Sequence, residues 1–216
     1  MIARPEPSDG RTFSDVRVVV FDLGGVLLRL RDPLTNFDLE LDEAEFQERW
    51  LRSPAVREFE RGACDAETFG RTIVREFGLS MSWRSFLERF DAWPEQIYPE
   101  TTLLLDAVPA GVGRVLLSNT NAAHWNRRDI ALALTGRVDK TFLSFRTGLL
   151  KPDREAFMQV VRAYGMLPEA FLFFDDNPLN VSAARATGMR AVLCEGPNEA
   201  LRVVQRMQTK DTGTNV

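Results

Sequence analysis

The stretch Val16-Arg17-Val18-Val19-Val20-Phe21-Asp22-Leu23-Gly24-Gly25-Val26 decides how the rest of the chain is interpreted. Its apolar, mostly β-branched half predicts a strand that is buried on both faces, as in a parallel sheet. The strand ends at the carboxylate of Asp22, and a buried charge is costly unless a partner or a function compensates it. Ligands of open α/β sheets bind beyond the carboxyl ends of the strands, so Asp22 is predicted to lie at a ligand site. Taken alone, the stretch fits an ordinary strand that ends in an Asx turn equally well.

Four further strands are predicted in the second half of the chain, and predicted helices separate them. The strands cover residues 113–117, 141–144, 171–174 and 191–194. This alternation predicts right-handed crossovers and an α/β fold, a Rossmann-like doubly wound parallel sheet. We assign residues 15–30 and 98–208 to this core.

Residues 31–97 follow a different pattern, with helices and no evident strand. The helices are predicted over residues 42–51, 65–77 and 82–93. The second of them carries Phe69, Ile73 and Phe77 at helical spacing, which predicts one buried face. A helical insert between the first strand and the rest of a sheet is placed to act as a lid, so we assign residues 31–97 to a helical cap.

The composition argues against several classes of partner. The formal net charge is −4 and no basic cluster occurs, which disfavours nucleic acid and anionic membranes as partners. Cys64 and Cys194 fit neither a disulfide framework nor a metal-ligand spacing, and this suits a reducing compartment. The chain shows no signal-peptide pattern and no apolar run of about 18 residues. We therefore expect a cytoplasmic monomer or homodimer, with a flexible leader at residues 1–14 and a flexible tail at residues 209–216.

Polar side chains follow several of the predicted strands and are expected to converge on one crevice of the sheet. They are Asp22, Ser118, Asn119, Lys151, Asp175 and Asp176. Three carboxylates in one crevice repel one another unless a cation lies between them, and carboxylate oxygens suit Mg²⁺. A lysine, a hydroxyl and an amide supply the charge neutralisation and positioning that a phosphoryl group needs. Each group taken alone also fits a capping turn or an ordinary surface residue.

Four segments together resemble, in order and spacing, the motifs of the haloacid dehalogenase-like hydrolases. They are Phe21-Asp22-Leu23-Gly24-Gly25-Val26-Leu27, Leu117-Ser118-Asn119-Thr120-Asn121, Gly148-Leu149-Leu150-Lys151-Pro152 and Phe173-Phe174-Asp175-Asp176-Asn177. The likeness is greatest to the subgroup that contains the bacterial α-D-glucose-1-phosphate phosphatases. A histidine near the Ser-Asn-Thr-Asn run, here His124, and an Arg-Gly turn in the cap, here Arg61-Gly62, are also expected in that subgroup.

The resemblance implies phosphoryl transfer in two steps. Asp22 is expected to attack phosphorus and form an aspartyl-phosphate, which water then hydrolyses. A Mg²⁺ cofactor is expected on a carboxylate oxygen of Asp22, the backbone carbonyl of Gly24 and Asp176, with Asp175 adjacent.

The resemblance also implies how a small phosphorylated metabolite, such as glucose 1-phosphate, is held. The Ser118 hydroxyl and the backbone amide of Asn119 are expected to bind the phosphoryl oxygens. Lys151 is expected to bridge the nucleophile and the phosphate. Arg61 is the candidate that reaches the substrate from the cap.

Gly24 departs from a pattern that many phosphatases of this superfamily share. They carry a second aspartate at this position, which serves as general acid, and such catalysis contributes about 10²–10⁴ in rate. Activity is therefore expected to be weakened rather than lost, and the acidic leaving group of a sugar 1-phosphate needs less protonation. Two alternatives stay open, a metal-independent 2-haloacid dehalogenase and a degenerate regulatory protein that binds a phosphorylated ligand. The Asp175-Asp176 pair argues against the dehalogenase, because uncompensated carboxylates raise the pKa of a nucleophilic one.

Overall fold

The computed structural model describes residue 13 and residues 15–208. The strands of the described residues are β1 (Val18–Phe21), β2 (Leu28–Leu30), β3 (Pro94–Ile97), β4 (Gly113–Ser118), β5 (Lys140–Leu143), β6 (Phe171–Asp175) and β7 (Arg190–Leu193). The α-helices are α1 (Pro33–Phe37), α2 (Glu43–Arg52), α3 (Pro54–Glu60), α4 (Ala66–Phe77), α5 (Trp83–Asp91), α6 (Thr101–Asp106), α7 (Ala122–Trp125), α8 (Arg128–Leu134), α9 (Ser144–Thr147), α10 (Arg154–Tyr164), α11 (Pro178–Ala186) and α12 (Gly196–Gln208). The predicted tail and the predicted leader, apart from Phe13, lie outside the described residues.

A parallel sheet of β5-β4-β1-β6-β7 forms the centre of the molecule, and this confirms the predicted fold class. Phe21, the last residue of β1, pairs with Leu116 of β4 and with Phe174 of β6. The carboxyl ends of these three strands therefore lie side by side. Asp22 continues directly from the central strand, at the edge of the sheet where ligands of such folds bind.

Both faces of β1 are buried, as the unbroken apolar run predicts. Val19 and Phe21 belong to one hydrophobic cluster, which helices α6 and α12 cover, for example with Leu104 and Val204. The alternate residues of the strand belong to a second cluster, on the face covered by α10 and α11. Because helices cover both faces of the sheet, the polar groups lie at the carboxyl ends of its strands.

Helices α1–α5 pack around a third cluster, which is rich in aromatic rings. Its buried rings are Phe37, Phe46, Trp50, Phe69, Phe86 and Phe90. Asp42, Asp65 and Ser82 cap α2, α4 and α5, since each side chain accepts a bond from a backbone amide of the first turn. The three predicted helices of this insert are thereby confirmed, whereas its boundaries as a domain stay a prediction.

Two details of the sequence interpretation are wrong, and helix α3 of the insert was missed. Residues 31–97 do contain a strand, β3, which pairs antiparallel with β2, but its Pro-Glu-Gln-Ile sequence lacks the apolar alternation of a recognisable strand. The sequence interpretation did not predict α3, which Ser53 caps and Pro54 begins, since proline is favoured in a first turn. Among the helices predicted to separate the core strands, the one expected as a single helix over residues 122–134 is divided into α7 and α8. Among the described residues, no helix combines the length and apolarity needed to cross a bilayer.

Candidate active site

A cavity of about 160 Å³ lies at the carboxyl ends of β1, β4 and β6, beneath the helical insert. From the predicted site, its walls include Asp22, Gly24, Ser118, Asn119, Lys151 and Asp176. From the insert, they include Trp50, Leu51, Glu60, Phe90 and Trp93. The structure therefore brings most of the predicted groups together, whereas Asp175 and Arg61 are not part of this lining.

Lys151 is buried between two carboxylates. Its Nζ lies 2.8 Å from Oδ1 of Asp22 and 2.6 Å from Oδ2 of Asp175. Burial by itself would lower the pKa of Lys151, but the charges of Asp175 and Asp22 outweigh it and hold that pKa above its ordinary value. The ammonium group therefore stays charged beside the predicted nucleophile.

Asp175 positions this lysine and is itself saturated with hydrogen bonds. Its Oδ1 accepts from the backbone amide of Asn177 at 2.8 Å, and Nδ2 of Asn180 donates to both carboxylate oxygens at 3.0 and 3.1 Å. With Lys151 on Oδ2, little of this carboxylate is left for a metal. The sequence interpretation did not identify Asn180, because only the fold of α11 turns its side chain back towards β6.

Asp22 presents one free oxygen to the cavity. The backbone amide of Leu23 donates to Oδ1 at 2.7 Å, and Lys151 contacts the same atom. Burial, only partly offset by Lys151, raises the pKa of Asp22 to about 6, so the group is still mainly ionised at neutral pH. No hydrogen bond within the described residues uses Oδ2, which can therefore act as a nucleophile or a ligand.

Asp22, Asp175 and Asp176 each place a carboxylate oxygen within 4.8 Å of the others. Burial, together with the charges of Asp22 and Asp175, raises the pKa of Asp176 to about 8. A small cation here would remove this repulsion. Because Asp175 is saturated, the donors left for it are Asp22, Asp176 and the carbonyl of Gly24.

Two further observations fit a hydrated cation. Asn180 is one of the residues that line this cavity, and its buried Oδ1 has no hydrogen-bond partner among the described residues, so it can accept a hydrogen bond from metal-bound water. At Gly25, whose φ is +73°, a Cβ would lie only 2.0 Å from Oδ2 of Asp176. Glycine at this position therefore lets the loop after β1 approach the Asp176 carboxylate.

Asn119 connects the end of β4 to the lysine segment. Its Nδ2 donates to the carbonyl of Lys151 at 2.9 Å, and the amide of Lys151 donates back to Oδ1 at 2.9 Å. The side chain thus holds Lys151 in place, while the predicted role of its backbone amide stays a prediction. Ser118 also lines the cavity, and within the described part of the chain its hydroxyl makes only a long contact, 3.4 Å, to the carbonyl of Asn119.

His124 connects the core to the insert. Burial lowers its pKa to about 4, so the ring is neutral, and its Nε2 lies 2.8 Å from the carbonyl of Phe90. The two rings are also in contact, with centroids 4.4 Å apart. This residue therefore helps to hold α5 over the cavity.

Arg61 lies elsewhere than the sequence predicts. Its guanidinium is 3.0 Å from Oδ2 of Asp153, and that of Arg57 is 2.6 Å from the same atom. The neighbouring residue, Glu60, lines the cavity instead. The sequence offers no signal for this, because the direction in which α3 turns its side chains depends on how the insert packs.

A sequence model of one protein family, described as "Hydrolase: haloacid dehalogenase-like hydrolase", matches residues 16–188. The chain belongs to the haloacid dehalogenase-like hydrolases. A similar solved structure is a predicted HAD-like family hydrolase from Porphyromonas gingivalis, 25% identical with a TM-score of 0.69 over 90% of this chain and 98% of that one. The predicted superfamily is thereby confirmed.

Two curated relatives carry names that describe their chemistry. Phosphatase MT3486 of Mycobacterium tuberculosis is 28% identical over 83% of this chain and 88% of its own length. Flavin mononucleotide hydrolase 1 of Arabidopsis thaliana is 28% identical over 74% of this chain and 62% of its own length. The family match and these relatives support the predicted class of enzyme, a phosphoric monoester hydrolase of this superfamily.

Proposed function

We propose that this hydrolase is a Mg²⁺-dependent phosphatase of small sugar phosphates such as glucose 1-phosphate, and that it acts through an aspartyl-phosphate. The observation that carries the proposal is the arrangement of Asp22, whose Oδ1 is engaged by Lys151 while its Oδ2 is free. This orients one nucleophilic oxygen towards the cavity.

The residues around Asp22 have separate tasks. Lys151 offsets the negative charge that gathers when a phosphate dianion approaches a carboxylate, and the Ser118 hydroxyl can donate to a phosphoryl oxygen. Asp22, Asp176 and the Gly24 carbonyl would hold Mg²⁺, which supplies charge neutralisation and orientation of the phosphoryl group. Asp175 and Asn119 hold Lys151 in position.

The walls of the cavity support a small sugar as the leaving group. Its volume, about 160 Å³, is below the roughly 300 Å³ at which sites for drug-sized ligands begin. Trp50, Phe90 and Trp93 offer flat apolar faces, and Asn121 and Asn177 offer hydrogen-bonding groups for hydroxyls. A glycosyl leaving group also agrees with the absence of a side chain at Gly24.

A substrate panel tests the proposal. Phosphate release is measured from glucose 1-phosphate, glucose 6-phosphate and 4-nitrophenyl phosphate, each with Mg²⁺ and with excess EDTA. We expect metal-dependent turnover with the highest kcat/KM on the sugar 1-phosphate. Undiminished activity in EDTA together with halide release from 2-chloropropionate would indicate a dehalogenase. Binding of phosphate esters without turnover would indicate a regulatory protein.

A further inference from the structure

Glu60 is the acidic residue that the insert contributes to the cavity. It is the last residue of α3, is half-buried, and lines the same walls as Asp22 and Lys151. Within the described residues its carboxyl group forms no hydrogen bond or ion pair, although Lys151, Asp22 and Arg57 are near enough to act on it electrostatically. It is thus a carboxyl group at the cavity wall that has no hydrogen-bond or ion-pair partner among the described residues.

The end of α3 is held firmly against the core. Arg57 and Arg61, one helical turn apart on either side of Glu60, both bind Asp153. At Gly62, whose φ is +72°, an added Cβ would lie 2.9 Å from the carbonyl oxygen of Phe145. These contacts fix the position of Glu60 relative to the sheet, as a group that takes part in proton transfer requires.

The other titratable groups in the cavity wall already have tasks. Asp22 is the nucleophile, Asp176 is a cation ligand, and Lys151 is paired with two carboxylates. His124 is neutral, and the carbonyl of Phe90 occupies its Nε2. Gly24 has no side chain, so among the residues lining this cavity Glu60 is the group left to handle a proton.

The surroundings of Glu60 keep it protonated. Its removal from bulk water, assisted by the charge of Asp22, raises its pKa to about 8 even though Lys151 and Arg57 act in the opposite direction. At neutral pH most molecules therefore carry the proton that a general acid has to donate.

We propose that Glu60 is the general acid and base of the reaction, supplied by the insert in place of a side chain at Gly24. This inference rests on the proposed phosphatase function. As the bond from phosphorus to the leaving oxygen breaks and the bond to Asp22 forms, the carboxyl of Glu60 gives its proton to the leaving alkoxide, which departs as an alcohol. In the second step the Glu60 carboxylate takes a proton from the attacking water, the bond from Asp22 to phosphorus breaks, and inorganic phosphate leaves.

The test compares Glu60→Gln with wild type on two leaving groups. For glucose 6-phosphate, whose alkoxide needs protonation, we expect kcat/KM to fall by about 10²–10⁴. For 4-nitrophenyl phosphate, whose phenolate leaves unprotonated, we expect a fall of less than about tenfold, because kcat/KM reports only the first chemical step. Glu58→Gln is the matched control, since Glu58 lies exposed on the same helix outside the cavity, and it should leave both values unchanged.

An equal fall on both substrates, or no fall on either, would overturn the role of Glu60. Wild-type enzyme provides a second test that needs no folded variant. Its kcat/KM for glucose 6-phosphate should decline as pH rises above about 8, while that for 4-nitrophenyl phosphate should not. Parallel pH profiles for the two substrates would contradict the proposal. If wild type hydrolyses no phosphate ester, the phosphatase function itself fails, which is distinguishable from a failure of Glu60 alone.

Discussion

At the scale of single residues, the site depends on opposite charges that are buried together and stabilise one another. Lys151 is 2% exposed and Asp175 is fully buried, and each would be costly there without the other. The pair does not itself react. It fixes the orientation of Asp22, whose Oδ1 contacts Lys151 while its Oδ2 has no hydrogen bond within the described residues.

Asp22→Asn should abolish turnover and leave the fold intact. The amide cannot attack phosphorus and is a poorer metal ligand, while Asp175 remains as the partner of Lys151. We expect less than about 1% of wild-type hydrolysis of 4-nitrophenyl phosphate, with a cooperative thermal transition close to that of wild type. Higher steady-state hydrolysis by the pure variant would show that Asp22 is not the nucleophile.

Binding of Mg²⁺ should tighten with pH. The pKa of Asp176 is raised from 3.8 to about 8, so at neutral pH a cation must displace a proton from this carboxyl. Affinity should rise by up to about tenfold per pH unit between pH 6 and 8 and then level off. Thermal shifts measured over a Mg²⁺ titration at several pH values check this, and Asp176→Asn should lose the pH dependence. A pH-independent affinity would contradict the assignment of Asp176 as a ligand.

The same raised pKa values affect the metal-free protein. Asp22 and Asp176 have folded-state pKa values of about 6 and 8, above the ordinary value of 3.8. Between pH 3.8 and these raised values, the two carboxyl groups hold protons in the folded protein that they have released in the unfolded chain. The free energy of unfolding of the metal-free protein should therefore fall as the pH rises through this range.

At the scale of elements, the loop between β1 and β2 contains two glycines with different constraints. At Gly25 a Cβ would collide with Asp176, and the backbone has positive φ. At Gly24 a Cβ would lie 3.2 Å from Cδ1 of Leu30, the end of a flexible side chain that can move aside. A side chain can therefore be introduced at the first position but not at the second.

Gly24→Asp should help poor leaving groups more than good ones. The change is made in the Glu60→Gln variant, which lacks the acid proposed above, so that the added carboxyl can protonate the alkoxide of glucose 6-phosphate, whereas glucose 1-phosphate needs this less. Because a further carboxylate also disturbs the metal site, the quantity to measure is the ratio of kcat/KM for the two substrates, which should rise. Gly25→Ala is the contrasting variant and should weaken Mg²⁺ binding. A uniform change on both substrates would show that protonation at residue 24 does not govern substrate choice.

At the scale of the whole molecule, several contacts join the insert to the core, and two of them lie beside the cavity. One joins α3 to Asp153 through Arg57 and Arg61, and the other joins α5 to the core through His124 and the carbonyl of Phe90. Both lie close to the cavity walls. Substrate specificity is therefore expected to depend on the position of the insert relative to the core as well as on the side chains that the insert contributes to the cavity.

Arg61→Ala distinguishes two roles of the insert. The sequence predicts that Arg61 reaches the substrate, whereas the structure pairs it with Asp153. If the ion pair is its task, kcat/KM should fall by at most about fivefold, equally for all sugar phosphates, as about 1 kcal/mol from a partly exposed pair allows. Arg57→Ala, which removes the other half of the same contact, should behave alike. A changed ranking of substrates would instead support direct contact between Arg61 and the substrate.

By itself, the sequence determined the parallel sheet and the residues at its carboxyl edge. Buried strands have an unbroken apolar pattern, and Asp22, Ser118 and Asp175 lie at the ends of such patterns. The local pattern of apolar residues was therefore enough to predict these strands and the polar residues at their ends. Helix starts such as those at Asp42 and Asp65 were equally local, because a cap and its amide lie within one turn.

Only the tertiary structure decided which groups meet across the chain. The pairing of β2 with β3 joins segments that are far apart in sequence. Two other outcomes depend on how a helix is rotated: the hydrogen bonds of Asn180 to Asp175, and the presence of Glu60 instead of Arg61 at the cavity wall. A short strand such as β3 owes its existence to its partner, and a helix presents a given side chain to a site only once its buried face has packed. These outcomes come from long-range contacts between surfaces, which no local pattern of residues encodes.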